Sequence, residues 1–450
     1  MLTPDAALDR LDTLLTLARK AGADAADAVY FGSASTSIGV RLGKLEDIGR
    51  SEDEEIGLRV FSGARSANVS VSDLSSAALL EAVERAQAMA AQATEDRFAG
   101  LAPAERLAHG PFPSLDLLDP AAEALSAAQL QQMALEAEDS ARAMPEISNS
   151  EGGSASSGRS ISALATSSGF RGVSQGTSVS ISAVVVAGTG AGKQRDYDWH
   201  QARHLADLES PAAIGRSAGE RAAQRLSPSR APTGPMPVLF DKRVSASLIG
   251  HLLSAISASA IARKTSFLLG HETEQIFAPG ISIHDDPHRL RGLRSRAFDA
   301  EGLATAPRAI VSQGRLTGWL VDSASGRQLG LPPTGHAARG SAGPPGISAS
   351  NLWLAAGNAS VEDLMSDIKI GIYITELIGS SVNLITGDYS RGAGGFMIRD
   401  GQLAEPVSEA TIAGHLLAMF AALVPADDLL FRQSSSAPTV RIDGMTVAGE

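Results

Sequence analysis

Apolar residues recur along this chain with two periods, and the places where one gives way to the other outline its elements. Leu8, Leu11, Leu14, Leu15 and Ala18 fall on one face of a helix that ends near Gly22. A strand is predicted over residues 28–31. From 36 to 71 the period drops to two, with Ile38, Val40 and Leu42, then Ile56, Leu58 and Val60, then Val69 and Val71, the pattern of an antiparallel meander. The acidic run 52–55 reads as a solvated turn within it. Asp73 is placed to cap a helix over 75–93, whose Leu79, Leu80, Val83 and Ala86 form an apolar stripe.

Residues 94–120 are rich in Pro and Gly and read as a connection. Ser126 and Gln129 have capping-box spacing ahead of a helix that reaches about residue 143. The stretch 148–182 is dense in Ser and Thr, a linker composition, but Ile161, Ala163 and Ala165 alternate, as do Val179, Ile181, Ala183 and Val185. Long strands with hydroxyls on the wet face are therefore predicted. Ser210-Pro211 opens a helix reaching Leu226, and 227–237 has linker composition again. The fold class is α+β, in three parts: a small sheet-and-helix domain over 1–112, a Ser-rich antiparallel middle domain over 113–231, and a larger mixed domain over 232–450. The last opens with a strand at 238–240 and an apolar helix over 244–262. It closes on strands at 370–375, 382–384 and 396–398, with Asp400-Gly401 as a tight turn before a return strand at Leu403.

Charge narrows the partners. Thirty-eight Lys and Arg against fifty Asp and Glu give a net charge of −12, which opposes binding to a phosphate backbone. No cysteine is present, so disulfides and thiolate ligands are excluded. The first residues carry acids where a secretory signal needs a basic start, and the most apolar segment, 411–424, is too short to span a bilayer and contains His415. A soluble cytoplasmic protein is expected, with no nucleic acid and no membrane among its partners.

Several constellations invite chemistry. His284-Asp285-Asp286-Pro287-His288 offers two imidazoles and two carboxylates, but Pro287 pushes Asp286 away from helical angles, and a surface turn after a strand at 281–283 is the favoured reading. His200 and His204 share the same spacing on a predicted strand, which separates them. Gly215-Arg216-Ser217-Ala218-Gly219 matches a nucleophile elbow yet falls inside a predicted helix. Residues 188–193 lack the first glycine and the hydroxyl of a phosphate loop and read as a hairpin turn. The Gly- and Pro-rich stretch 331–350 is expected to be a mobile loop lining a cavity or reaching a neighbour, with His336 solvated.

The segment 387–395, GDYSRGAGG, joins glycines that let chains approach closely to a carboxylate, a phenol and a guanidinium. Asn383, Asp388, Tyr389, Arg391 and Gly392 are the candidate binding residues, facing either a partner subunit or an extended peptide added to a sheet edge; the alternative is that they stabilise their own loop, for example Asp388 with Arg391. The run GDYSRGAGGF at 387–396, the closing VRIDGMTVAG at 440–449 and EIGLRVFSGARSA at 55–67 resemble the TldD/PmbA family, and specifically its PmbA (TldE) branch.

That resemblance implies a two-subunit zinc peptidase in which a TldD subunit holds the metal on a helix bearing HExxxH plus a late cysteine. Here the corresponding helix carries His251 alone, with no acidic residue, and the chain has no HExxxH, no HExxH and no cysteine. Catalytic and metal-binding residues are accordingly expected to be absent, with zinc on a TldD-like partner and unstructured peptides as substrates. An unpaired copy is expected to be able to self-associate as a homodimer. Two other readings remain open: an autonomous metal hydrolase built on His284 and His288, and a regulator of nucleic-acid enzymes, such as the gyrase for which the family was once named. The acidic balance gives the latter no support.

Overall fold

The computed structural model describes residues 1–379 and 381–449. Helix α1 (Pro4–Lys20) is capped by the Thr3 hydroxyl, which accepts from the Ala6 N–H, and it buries Ala7, Leu11, Leu14 and Ala18. Strands β1 (Ala25–Arg41), β2 (Lys44–Ser62) and β3 (Arg65–Val71) form the predicted meander. The acidic run 52–55 is not a turn but lies inside β2. Beyond Ile56 toward its tip, β2 pairs only with β1, so this part of the strand has an open side where carboxylates stay wet. Helix α2 (Ser76–Gln92) starts one step later than predicted. Ser75 is its cap, accepting from Ala78, while Asp73 accepts from the Ser75 N–H.

Helix α3 (Ala127–Arg142) has the predicted capping box at Ser126 and Gln129. Strands β4 (Ile147–Thr166), β5 (Arg171–Ala187) and β6 (Gln194–Ala202) then pair antiparallel, with Ser154 facing Ser182 and Ser156 facing Ser180 on the hydroxyl face. Helix α4 (Pro211–Gln224) packs on α3; a side chain at Gly215 would stand 2.1 Å from the Ala137 carbonyl oxygen. The first two predicted parts share one sheet. β1 pairs along its length with β4, giving one six-stranded sheet in the order β3-β2-β1-β4-β5-β6. Helices α1 and α2 cover the apolar face at one end, and α3 and α4 at the other.

The C-terminal part begins with β7 (Gly234–Phe240) and α5 (Ala246–Ala255). The helix predicted over 244–262 is broken after Ala255: the Ile256 N–H still bonds back to Leu252, but Ala258 bonds instead to the Leu320 carbonyl, and a short second helix, Ala258–Ala262, follows. Strands β8 (Ile370–Ile378), β9 (Asp388–Arg399), β10 (Gln402–His415) and β11 (Val440–Ala448) order as β10-β9-β8-β7-β11. β10 also pairs with β11, so the five strands close into a ring. The turn Asp400-Gly401 takes the predicted left-handed geometry, with φ of 46° and 81°.

The glycine-rich segment is itself strand, not loop. It supplies most of β9, and the predicted strand at 382–384 reduces to a single bridge between Val382 and Tyr389. Gly395 shows why: a Cβ there would lie 1.9 Å from the Tyr373 carbonyl oxygen, so only glycine lets β9 sit against β8. Among the described residues, no helix is long and apolar enough to cross a membrane.

Candidate functional site

The residues singled out by sequence separate into two groups. Asn383 and Asp388 are exposed on the turn that leads into β9. The Asn383 side-chain oxygen accepts from the N–H groups of Ile385 (2.9 Å) and Thr386 (3.3 Å), and the Asp388 carboxylate accepts from the Thr386 hydroxyl (2.6 Å). These bonds hold the turn in shape. Asp388 does not pair with Arg391; three residues apart on a strand, the two point to opposite faces.

Tyr389 and Arg391 point inward instead. Tyr389 is 1% exposed, its ring edge-on to His251 of α5 with centroids 5.9 Å apart. Burial pushes its phenol up to about 12, with the nearby Arg391 guanidinium opposing the rise, so the hydroxyl keeps its proton. Burial, reinforced by the charge of Arg391, pushes the His251 imidazole down, and its Nε2 is buried without a hydrogen-bond partner. β9 lies between β8 and β10 in a closed ring, so no peptide strand adds alongside it. Open backbone occurs next door: β8 pairs with β7 only through Ile374, and past that point no strand among the described residues lies beside Thr375 to Ile378 on that side.

Thr375, Glu376, Leu377 and Arg391 form one wall of a cavity of about 680 Å³. The opposite wall comes from β6 and α4. Asp196 and Asp198 alternate on the buried face of β6, where Arg225 and Arg243 pair with Asp196, and Arg221 and Arg432 pair with Asp198. Arg225 also binds Glu376 across the cavity and so ties the two walls together. Sequence reading missed this wall. The signal was present, since two carboxylates alternating on an inward strand face, with arginines one turn apart on the next helix, require one another.

The other constellations are engaged elsewhere. His284 stacks on Trp353 at 5.2 Å within a short strand, Ile283–Asp285, and His288 Nε2 meets the Thr305 hydroxyl at 3.1 Å. Asp285 is buried, accepting from the N–H and hydroxyl of Ser350 (2.7 and 2.9 Å). Asp286 accepts from the His288 N–H. His200 accepts from the Glu209 N–H, while His204 contacts the Asp116 carbonyl. Ser217 sits mid-helix in α4, and residues 188–193 make the β5–β6 turn. His336 is not solvated: it is 3% exposed, with Nε2 3.3 Å from Asp285, because 331–350 is tied to Val321, Asp299 and, through Arg339, to Asp27 of β1 rather than standing free.

Three family models cover most of the chain: PmbA/TldA metallopeptidase domain 1 over 26–90, the central domain over 120–226 and the C-terminal domain over 233–449. The chain is 35% identical over 449 residues to Metalloprotease PmbA of Escherichia coli O157:H7, covering 98% of this chain and 96% of that one. It belongs to the PmbA/TldD metallopeptidase family, on the PmbA side. In structure it is similar to a protein of Bacteroides thetaiotaomicron described as a proposed modulator of DNA gyrase, with a TM-score of 0.92, 26% identity and all of both chains covered. It also shares its fold with TldE from Thermococcus kodakarensis, with a TM-score of 0.85 at 19% identity over 98% of this chain and 100% of that one.

A PmbA/TldD metallopeptidase implies a metal, and the resemblance puts its ligands on α5. The residues there do not fit one. On α5 His251 is the only imidazole, Ser247 and Ala255 stand one turn to either side, and the positive charge of Arg391 acts on the ring. A second nitrogen, a carboxylate or a thiolate would be needed, and a dication would sit beside a fixed positive charge. Among the described residues, no group of three His, Cys, Asp or Glu is arranged to hold a metal ion.

Proposed function

We propose that this chain is the PmbA/TldE-type subunit of a two-subunit cytoplasmic zinc peptidase, carrying no catalytic zinc of its own and working with a TldD-like subunit that holds the metal. The observation that carries this reading is α5, where His251 is the one ligating side chain on the helix and the positive charge of Arg391 acts on its ring. Its contribution is then binding. Asn383 and Asp388, exposed on a turn held by its own hydrogen bonds, offer a preformed surface to the partner. Arg391 faces the cavity, Tyr389 packs near it, and Gly392, the next residue after Arg391, lets β9 lie close against Ile378. Unstructured peptides suit the open side of β8 at Thr375–Ile378, since an extended chain can satisfy its unpaired backbone.

The test is mass-spectrometric cleavage of an unstructured peptide with zinc supplied, by the chain alone, by a TldD-like protein from the same cell, and by the mixture. Activity is expected with the partner present and not with this chain alone. Chelator-sensitive cleavage by the purified chain would overturn the reading and return attention to His284 and His288. Size-exclusion chromatography with light scattering is expected to show a heterodimer in the mixture; the unpaired chain can self-associate through the same surface.

A further inference from the structure

Six cations line the cavity: Arg221, Arg225, Lys242, Arg243, Arg391 and Arg432. Five are answered by carboxylates. Asp198 takes Arg221 and Arg432 at 3.0 Å each, Asp196 takes Arg225 at 3.2 Å and Arg243 at 3.0 Å, and Asp428 takes Lys242 at 3.3 Å. Arg391 has no carboxylate partner among the described residues, and its Nε is buried without an acceptor. Arg391 is half-buried, and this edge of its donor fork is left without an acceptor. Two more donors on the same cavity walls share the deficit: Nη2 of Arg432 and the hydroxyl of Thr375 are buried with no partner.

Donors left without an acceptor on the walls of one cavity suggest what is missing. A carboxylate supplies a negative charge and up to about four lone-pair sites in a plane that matches a guanidinium fork. The volume falls in the range of roughly 300–1,000 Å³ typical of ligand sites, and the open side of β8 at Thr375–Leu377 belongs to the same wall. An extended chain laid along that open side would bring a carboxylate into the cavity.

We propose that this cavity is a carboxylate-selective peptide subsite, in which Arg391, with Arg432 and Thr375 on the same walls, receives either the free C-terminal carboxylate or an acidic side chain of the bound peptide. The proposal rests on the peptide-binding role given above and adds its chemical preference. No bond is made or broken here. The site holds the peptide by its negative charge, in a chain whose own net charge of −12 otherwise repels acidic ligands.

Fluorescence anisotropy with a labelled unstructured peptide tests it, on the full chain alone and in complex with the TldD-like subunit. Four forms are compared: acidic with a free C-terminus, acidic with an amidated C-terminus, Asp and Glu replaced by Asn and Gln with a free C-terminus, and both neutralised. Neutralising the carboxylate that is read should weaken binding roughly tenfold or more, and the form that shows the drop identifies a chain end or a side chain as the source. Arg391→Gln should bring the best peptide down to the affinity of the fully neutral one and leave the latter unchanged. Arg391→Lys, which keeps the charge but loses the fork, should retain part of the discrimination. Equal affinity for all four forms in the unmodified protein overturns the proposal without any variant, and so does undiminished discrimination by Arg391→Gln. In both cases peptide binding itself survives. Failure of every peptide to bind in either assembly would remove that underlying role too.

Discussion

Two inward arginine sites in this molecule are built on opposite terms. Where the six-stranded sheet meets the C-terminal part, Arg59 and Arg339 both close on the Asp27 carboxylate, with Arg59 Nε at 3.0 Å. Burial works to raise the Asp27 carboxyl, yet the two guanidinium charges hold it below its ordinary value. In the cavity, Arg391 has no such partner. Glu301 gives a third solution: buried against the Ser323 N–H and hydroxyl, near Asp299, it is pushed up to about 7 and can hold a proton instead of finding a cation. Acids have that exit and arginine does not. The Arg59–Asp27–Arg339 site joins two parts of the fold, whereas Arg391 is the residue proposed above to receive a ligand.

The sharpest way to break this contrast is Asp27→Ala. Removing the shared carboxylate strands two buried cations, and a loss of about 3–5 kcal/mol is expected from urea unfolding. A loss under about 1 kcal/mol would mean that the pair joins nothing.

Glu301 comes next, with a pH signature. Its folded pKa lies above the ordinary value of 4.5, so the folded state binds more protons and stability falls as pH rises from about 4.5 to about 7. The loss levels off above that, at roughly 3 kcal/mol. Glu301→Gln should flatten this part of a melting-temperature profile and raise stability at pH 8; an unchanged slope would assign it to other groups, Asp299 first.

Gly395→Ala should cost about 1–3 kcal/mol, since the added methyl meets the Tyr373 carbonyl oxygen, and thermal unfolding will show it. Smallest of all is Arg391→Gln, expected within about 1 kcal/mol of the parent in the same assay, because no native pair is broken. A loss as large as that of Asp27→Ala would make Arg391 structural.

Most elements were legible because their periods were clean. α1, the capping box of α3, the hydroxyl-faced strands β4 and β5 and the Asp400-Gly401 turn all follow from local pattern. What local pattern lacks is the identity of the neighbour. Glycines at 387–395 are compatible with a loop, and only the position of the Tyr373 carbonyl shows that they make a strand. In the same way β1 carries no mark that its second partner is β4 rather than a strand of its own meander. His336 was misplaced because its partner, Asp285, lies far away in sequence. At the site, Tyr389 and Arg391 were visible as chemistry, but their inward direction depends on β9 being a strand, and the Asp196 and Asp198 wall depends on the C-terminal part folding over β6.

The closed ring also sets an order on synthesis. β11 emerges after both of its neighbours, β7 and β10, and Val440 finds Phe240 about 200 residues earlier in the chain. Until β11 leaves the ribosome, β7 and β10 both carry an unpaired edge and the apolar side chains behind them lack that cover. The nascent ring therefore stays adhesive until this strand docks, which makes β11 its lock and the loss of β11 a cause of aggregation rather than of trimmed function.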